Sequence, residues 1–291
     1  MSTSAPTSAH PTIADKRRLF RQLHDEPGCF VIPNPWDVGS TRFLQGLGFK
    51  ALATTSSGFG WSQGRPDGAA SRDEVLAHLR EIVAATDLPV NADFENGFGR
   101  QPADVAESVR LAIETGIAGV SIEDSTGNAA QPLFALDTAV ARMAAARRAI
   151  DAAGGDTLLV GRAECFLVGV PDLAETIRRL QAYAEAGADC LYAPGIRTRE
   201  QIAAVVAAVA PKPVNLLIGS TASGLTLADA AALGVRRISV GGALARTAWG
   251  AFNRAARLMA EQGSFDGFAQ AASGDELDTF FRNDLTHRAD A

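Results

Sequence analysis

A (β/α)₈ barrel is the fold this sequence predicts, on three observations. Short apolar or β-branched runs alternate with longer stretches of helical period, the pattern of βαβ units. The runs number eight. Gly46-Leu47-Gly48, Thr115-Gly116, Ala186-Gly187 and Leu233-Gly234 each place a residue able to take positive φ where a helix must end before the next strand. An open doubly wound sheet would instead call for an early G-x-G-x-x-G turn, and the first run is followed by Pro33-Asn34-Pro35-Trp36-Asp37.

Taken in order, strand 29–32 precedes a helix over 38–47, and strand 51–55 runs into the turn Thr55-Ser56-Ser57-Gly58. Successive N–H groups and hydroxyls in that turn can form an anion-binding nest, a weak signal alone because Ser/Gly turns are common. Helix 73–86 is announced by Ser71 or Arg72 before Asp73-Glu74, and helix 102–115 by Pro102 with Asp104. Between them, strand 89–93 ends in Asp93-Phe94-Glu95, two carboxylates one residue apart. Strand 119–123 ends in Glu123-Asp124 and leads to helix 137–153. Strand 158–163 carries Arg162 and is followed by Glu164, before helix 172–186, which opens at Pro171-Asp172. Strands 190–193, 213–218 and 237–240 precede helices 198–209, 226–233 and 243–262.

The expected organisation is a flexible tail over 1–15, a barrel over 16–262 and a helical extension over 263–291. That extension carries Phe265, Phe268, Leu277, Phe280 and Phe281, too many large apolar side chains for a free tail, so it is expected to pack on a neighbouring subunit. At 291 residues and 47% hydrophobic the chain can bury a large core. A net charge of −6 with no Lys/Arg cluster gives no reason to expect nucleic acid or an anionic membrane as partner. No apolar stretch approaches the roughly 20 residues of a membrane span, and the first dozen residues lack a basic start and an apolar core, so a cytoplasmic protein is expected. Cys29, Cys165 and Cys190 lie in or beside strand-like runs without metal-ligand spacing and read as buried small hydrophobes.

In such a barrel the site lies at the C-terminal ends of the strands. Asp93, Glu95 and Glu123 converge there, and two acids so close repel unless a cation or an arginine neutralises them. Their all-oxygen chemistry, with no histidine at a strand tip, favours Mg²⁺ or Mn²⁺ over zinc. The alternative is an ion pair with Arg100 or Arg162. Arg162, costly to bury bare, should face either a protein carboxylate or one of the substrate. His10, His24, His78 and His287 all fall away from strand tips, which argues against a histidine-dependent hydrolase.

With these motifs assembled, the chain resembles the isocitrate lyase / phosphoenolpyruvate mutase superfamily over roughly residues 28–260. The resemblance rests on Gly48-Phe49-Lys50-Ala51-Leu52 leading to Ser57-Gly58, Gly64-Arg65-Pro66-Asp67, Asp93-Phe94-Glu95-Asn96-Gly97-Phe98-Gly99, Ile122-Glu123-Asp124, Gly161-Arg162-Ala163-Glu164 and Pro213-Val214-Asn215. It implies a (β/α)₈ barrel, usually a homotetramer (a dimer of dimers) with C-terminal helices swapped between subunits, binding Mg²⁺ and a 2-oxo or 2-hydroxy acid. Asp93, Glu95 and Glu123 are then the implied metal shell. Thr55, Ser56, Ser57 and Gly58 would cradle the carboxylate end, with Arg162 and Asn215 holding the other. Asp67 matches the acid that contacts metal-bound water or substrate, and Asp67, Arg162 and Glu123 are the implied catalytic groups.

Departures from the family narrow the reaction. Its isocitrate and methylisocitrate lyases carry a Lys-Lys/Arg-Cys-Gly-His loop after the fourth strand, whereas Ser125-Thr126-Gly127-Asn128-Ala129-Ala130-Gln131 here contains no Cys, Lys or His. The gating loop of the phosphonate-processing members is absent as well, and Pro194 stands where the lyases present an acid. The expected activity is Mg²⁺-dependent carbon–carbon cleavage of a small 2-hydroxy or 2-oxo acid through an enolate. Its alternatives are phosphonomutase or phosphonopyruvate hydrolase chemistry at a C–P bond, oxaloacetate decarboxylation, and non-catalytic binding of a 2-oxo acid.

Overall fold

The computed structural model describes residues 10–289; most of the expected tail, residues 1–9, lies outside them. Its elements run α1 (Ile13–Asp25), β1 (Phe30–Ile32), α2 (Val38–Gly46), β2 (Leu52–Ala53), α3 (Ser56–Ser62), α4 (Arg72–Ala84), β3 (Val90–Asp93), α5 (Pro102–Ile113), β4 (Gly119–Glu123) and α6 (Leu136–Ala152). They continue as β5 (Leu158–Arg162), α7 (Leu173–Glu185), β6 (Cys190–Tyr192), α8 (Arg199–Val209), β7 (Val214–Leu217), α9 (Leu227–Ala232), β8 (Arg237–Ser239), α10 (Ala243–Gln262) and α11 (Gly274–Ala289). All eight expected strands form, in one parallel sheet ordered β1-β8-β7-β6-β5-β4-β3-β2. The seam between β1 and β2 is drawn together by the Ala53 N–H donating to the Pro33 carbonyl at 3.0 Å. Asn34 reinforces it, donating to Thr54 O at 2.9 Å and accepting from the backbone of Val240 at 2.8 Å and Gly241 at 2.9 Å. The architecture is therefore the (β/α)₈ barrel that the alternating runs predict.

Local sequence explains the helix starts. Ser71 and Glu74 form a reciprocal capping box at α4, and Thr226 and Asp229 do so at α9. Pro102 stands in the first turn of α5, where its missing N–H costs nothing. Three helices go beyond the eight named from helical period. One of them, α3, is built from the supposed Ser/Gly turn. Another, α1, begins at Ile13 under a Thr12–Asp15 capping box, ahead of residue 16 where the barrel was expected to start. The third, α11, lies in the expected extension.

The core lies between sheet and helices, where Leu79, Ile82, Val105, Val109 and Leu180 are 0% exposed. The N-terminal end of the barrel is closed by α1. Phe20, 0% exposed, inserts among Ile32, Ala51 and Leu158, and a Cβ on Gly119 would come within 2.6 Å of its ring. Arg17 fastens the helix by donating to the carbonyls of Ile117 (3.0 Å) and Ile113 (3.1 Å). Above this plug the barrel interior is polar. Asn91, Ser121, Asn215, Arg237 and Ser239 are buried there, where branched aliphatic layers are usual.

At the other terminus α11 lies on α2 of its own chain. Phe280 meets Phe43 with ring centroids 4.6 Å apart, and Asp284 accepts from Arg42 Nε at 2.9 Å. No helix among the described residues is long and apolar enough to cross a membrane.

Candidate active site

Strand termini and the loops that follow them build the site at the C-terminal mouth. The supposed nest is the first turn of α3. Thr55 caps it, its hydroxyl accepting from Gly58 N–H at 3.4 Å, while the Ser56 N–H donates to Asp93 Oδ2 at 2.9 Å. Gly58 is buried, and a Cβ there would stand 2.7 Å from Thr55 Cγ2 and 2.9 Å from Trp36 Cβ, so it serves close packing. Ser56 and Ser57 remain partly accessible.

Arg162, at the tip of β5, holds the acids together. Its Nη1 lies 3.1 Å from Asp93 Oδ1 and 3.1 Å from Glu123 Oε2, and its Nε donates to Glu164. The tip of β4 sits beside it because β4 and β5 pair Glu123 with Arg162. Of the two environments open to Arg162 in the sequence, a protein carboxylate is the one present, and Arg100 takes no part in these ion pairs. Asp93 and Glu95 do not share a strand, because β3 stops at Asp93. Glu95 adopts φ of 48°, a left-handed conformation that is costly for a residue with a Cβ. Its Oε2 lies toward the loop carrying Asp67, 3.8 Å from where a Cβ on Gly68 would stand.

A cavity of about 160 Å³ opens beside this cluster. That is about five times the share of one water in the liquid, room for a small organic acid. Of the sequence-derived candidates, Thr55, Ser56, Ser57, Asp67, Asp93, Arg162 and Asn215 line it, whereas Gly58, Glu95 and Glu123 do not. Asn215 is fully buried and already engaged, accepting from Arg237 Nε at 2.8 Å and donating to Ser239 Oγ at 3.0 Å. Its expected grip on substrate would require one of these bonds to open.

The electrostatics show a surplus of acid. Burial, then the charges of Asp93 and Asp67, pushes the Glu95 carboxyl up to about 7. Desolvation also raises Asp67, although it sits at the accessible rim. Burial raises Glu123 well above the usual carboxylate range against the opposing pull of Arg162. Crowded carboxylates that hold protons so tightly are the donor chemistry a divalent cation would relieve. As the side chains stand, however, no three acid, His or Cys groups among the described residues form a ready cation cage. Arg162 occupies the middle of the cluster.

Two contributing residues, Tyr192 and Arg142, were not among the candidates drawn from the sequence. Tyr192 places its ring under the Arg162 guanidinium, 5.2 Å from centroid to Cζ, and lines the cavity. Arg142, on α6, is 1% exposed and donates to the carbonyls of Asn96, Gly99 and Arg100, which holds the loop after Glu95 in place. Asp124 is structural: its carboxylate accepts from Glu164 N–H at 2.8 Å, Arg179 at 2.9 Å and Tyr183 at 2.5 Å. Cys165 and Cys190 are buried with raised thiol pKa, and half-buried Cys29 is pushed up to about 11 by desolvation, so none is poised as a nucleophile.

A parallel barrel with acids and an arginine at its C-terminal mouth defines a class of small-molecule enzyme folds, and comparison with known proteins places the chain within it. The family model described as phosphoenolpyruvate phosphomutase matches residues 20–260. The chain belongs to that family, within the isocitrate lyase / phosphoenolpyruvate mutase superfamily. A crystal structure described as a lyase/mutase from Burkholderia cenocepacia J2315 is 51% identical, with a TM-score of 0.90 over 93% of this chain and 97% of that one. The structure of a 2,3-dimethylmalate lyase superimposes with a TM-score of 0.81 at 26% identity, covering 96% of this chain and 98% of that one. An oxaloacetate decarboxylase of Bradyrhizobium diazoefficiens is 30% identical over 66% of this chain and 68% of its own length. Relatives in the superfamily are thus lyases and mutases of small carboxylic acids.

Proposed function

We propose that the protein is a Mg²⁺-dependent lyase that cleaves a carbon–carbon bond of a small 2-hydroxy or 2-oxo acid through an enolate. The observation that carries this reading is the surplus of carboxylates, with elevated proton affinity, beside a cavity sized for a small acid. Asp93 and Glu95, with Glu123 behind them, would hold the cation. When bound, Mg²⁺ (Mn²⁺ as the substitute) would supply positive charge for the oxygen that turns anionic as the bond breaks.

The chain's own groups do the rest. Ser56 and Ser57, at the start of α3, orient one end of the acid. Arg162 holds Asp93, Glu123 and Glu164 in register and keeps their charges from dispersing the site. Asp67 lines the cavity with a raised carboxyl pKa, which suits it to give or take the proton. Decarboxylation of oxaloacetate uses the same enolate, and the relationship to an oxaloacetate decarboxylase favours it as the second reading. A homotetramer is the assembly we infer, with the apolar outer face of α10 at its contacts.

The test is turnover of oxaloacetate, substituted malates and 2-methylisocitrate, each with Mg²⁺ and with EDTA. The proposal expects at least one to be cleaved and that cleavage to stop on chelation. Turnover indifferent to EDTA would sink it, and binding without turnover across the panel would leave a non-catalytic binding protein.

A further inference from the structure

Besides Arg162, which pairs with Asp93, Glu123 and Glu164, the cavity has a second cation that no sequence motif singled out. Arg237, the first residue of β8, is 2% exposed and lines the cavity from the barrel interior. Its hydrogen-bond partners are all neutral acceptors, Asn215 Oδ1 at 2.8 Å from Nε, His24 Nε2 at 3.2 Å and Asn91 Oδ1 at 3.4 Å from Nη1, and the Phe20 ring centroid lies 6.0 Å from its Cζ. His24 is kept neutral there, since burial and the Arg237 charge push its pKa down to about 3. Arg237 makes no ion pair with any described carboxylate, and its Nη2 makes no hydrogen bond to a described residue. The contrast with Arg142 is informative. That buried arginine also lacks an acid, yet three main-chain carbonyls and the Phe134 ring, 4.0 Å away, absorb its guanidinium. Arginine stays charged in proteins, and a buried charge without a counterion is costly.

Resting on the reading that this cavity takes a small carboxylic acid, we propose that Arg237 forms the anion-binding floor of the site, with its guanidinium as the counterion of a substrate carboxylate. Arg237 begins β8 whereas Arg162 ends β5, so this second cation lies one layer deeper in the barrel. Arg162 pairs with the acids, and Arg237 adds an anion-binding floor beneath them.

Calorimetric titration with oxalate and with oxamate, both in Mg²⁺ buffer, tests this on the parent, Arg237→Lys, Arg237→Gln and Arg237→Met. Oxamate has nearly the same shape and one fewer charge. Loss of the cation should weaken oxalate roughly 10- to 100-fold in Arg237→Gln and Arg237→Met, as expected for a charge-assisted bond. Oxamate should weaken much less, and Arg237→Lys should recover most of the oxalate affinity. Equal weakening of both probes would mean that Arg237 only positions Asn215, and would overturn the proposal. Oxalate binding within about twofold of the parent in a folded Arg237→Gln would overturn it too. A parent that binds neither probe would refute the small-acid reading together with this assignment, an outcome distinct from failure of Arg237 alone. Thermal melts identify folded variants, and Arg237→Lys, which keeps the charge, carries the comparison if the neutral variants unfold.

Discussion

At the scale of single residues, Glu95 is the most exposed to test. The unfolded chain would release its proton near 4.5, whereas in the folded, metal-free protein the carboxyl holds it up to about 7. Between those values unfolding releases a proton, so stability should fall as pH rises from about 4.5 through 7. Allowing for partial exposure, the loss should be roughly 2–3 kcal/mol by pH 8. Melts of Glu95→Gln should lack this decline, and saturating Mg²⁺ should suppress it in the parent. Asp93 does two jobs, accepting from Ser56 N–H and from Arg162. Asp93→Ala should therefore cost about 1–2 kcal/mol without metal, and also lose any stabilisation by Mg²⁺. If the variant still shifts with Mg²⁺ as the parent does, Asp93 is a structural ion-pair partner and no ligand.

Among elements, α3 and the start of α10 define how tightly one side of the cavity is built. A Cβ on Gly242 would stand 2.6 Å from Ser57 Oγ and 3.0 Å from the Trp61 ring, so Gly242→Ala must displace Ser57 or α3. Gly242 has φ of −71°, which alanine adopts freely, so backbone strain contributes nothing. The expected result is a loss of roughly 10- to 100-fold in kcat/KM with little change in melting temperature. Activity within twofold of the parent would show that Ser57 does not orient substrate.

The same scale explains what could be read in advance. Strands, helices and the tips bearing Asp93, Glu123 and Arg162 were legible because hydrophobic period and helix-end glycines are local signals. Arg237 was not, because its place beside Asn215 follows from the register of β7 on β8, which no single segment encodes. Tyr192 passed as an apolar strand residue, and Arg142 reaches the 96–100 loop from a helix more than forty residues on. The end of alternation at Asp93 is set by the left-handed turn at Glu95, a conformation nothing in the residue type announces.

For the molecule as a whole, α10 is twenty residues long, yet Ala245 is its one buried side chain. Trp249 (39% exposed) and Phe252 (61%) stand on its surface, with Phe265 (66%) just beyond. So much contiguous apolar surface calls for a partner. The contacts of Phe280 and Asp284 with α2 close within one chain, and an exchange of α11 between protomers would preserve them. Removing residues 264–291 should give dissociated or aggregated protein in sedimentation velocity. A stable monomer both before and after truncation would exclude the assembly.

The Phe20 plug has a kinetic consequence. Because α1 stoppers the N-terminal end of the barrel, the cavity is closed on that side and is reached from the C-terminal mouth. Two fragments formed inside by a cleavage of the kind proposed must leave one after the other, the fragment nearer the mouth first. Product-inhibition patterns should then be those of ordered release: the later-leaving product competes with substrate and the earlier one does not. If both products compete with substrate, they escape in either order, and the cavity has a second way out.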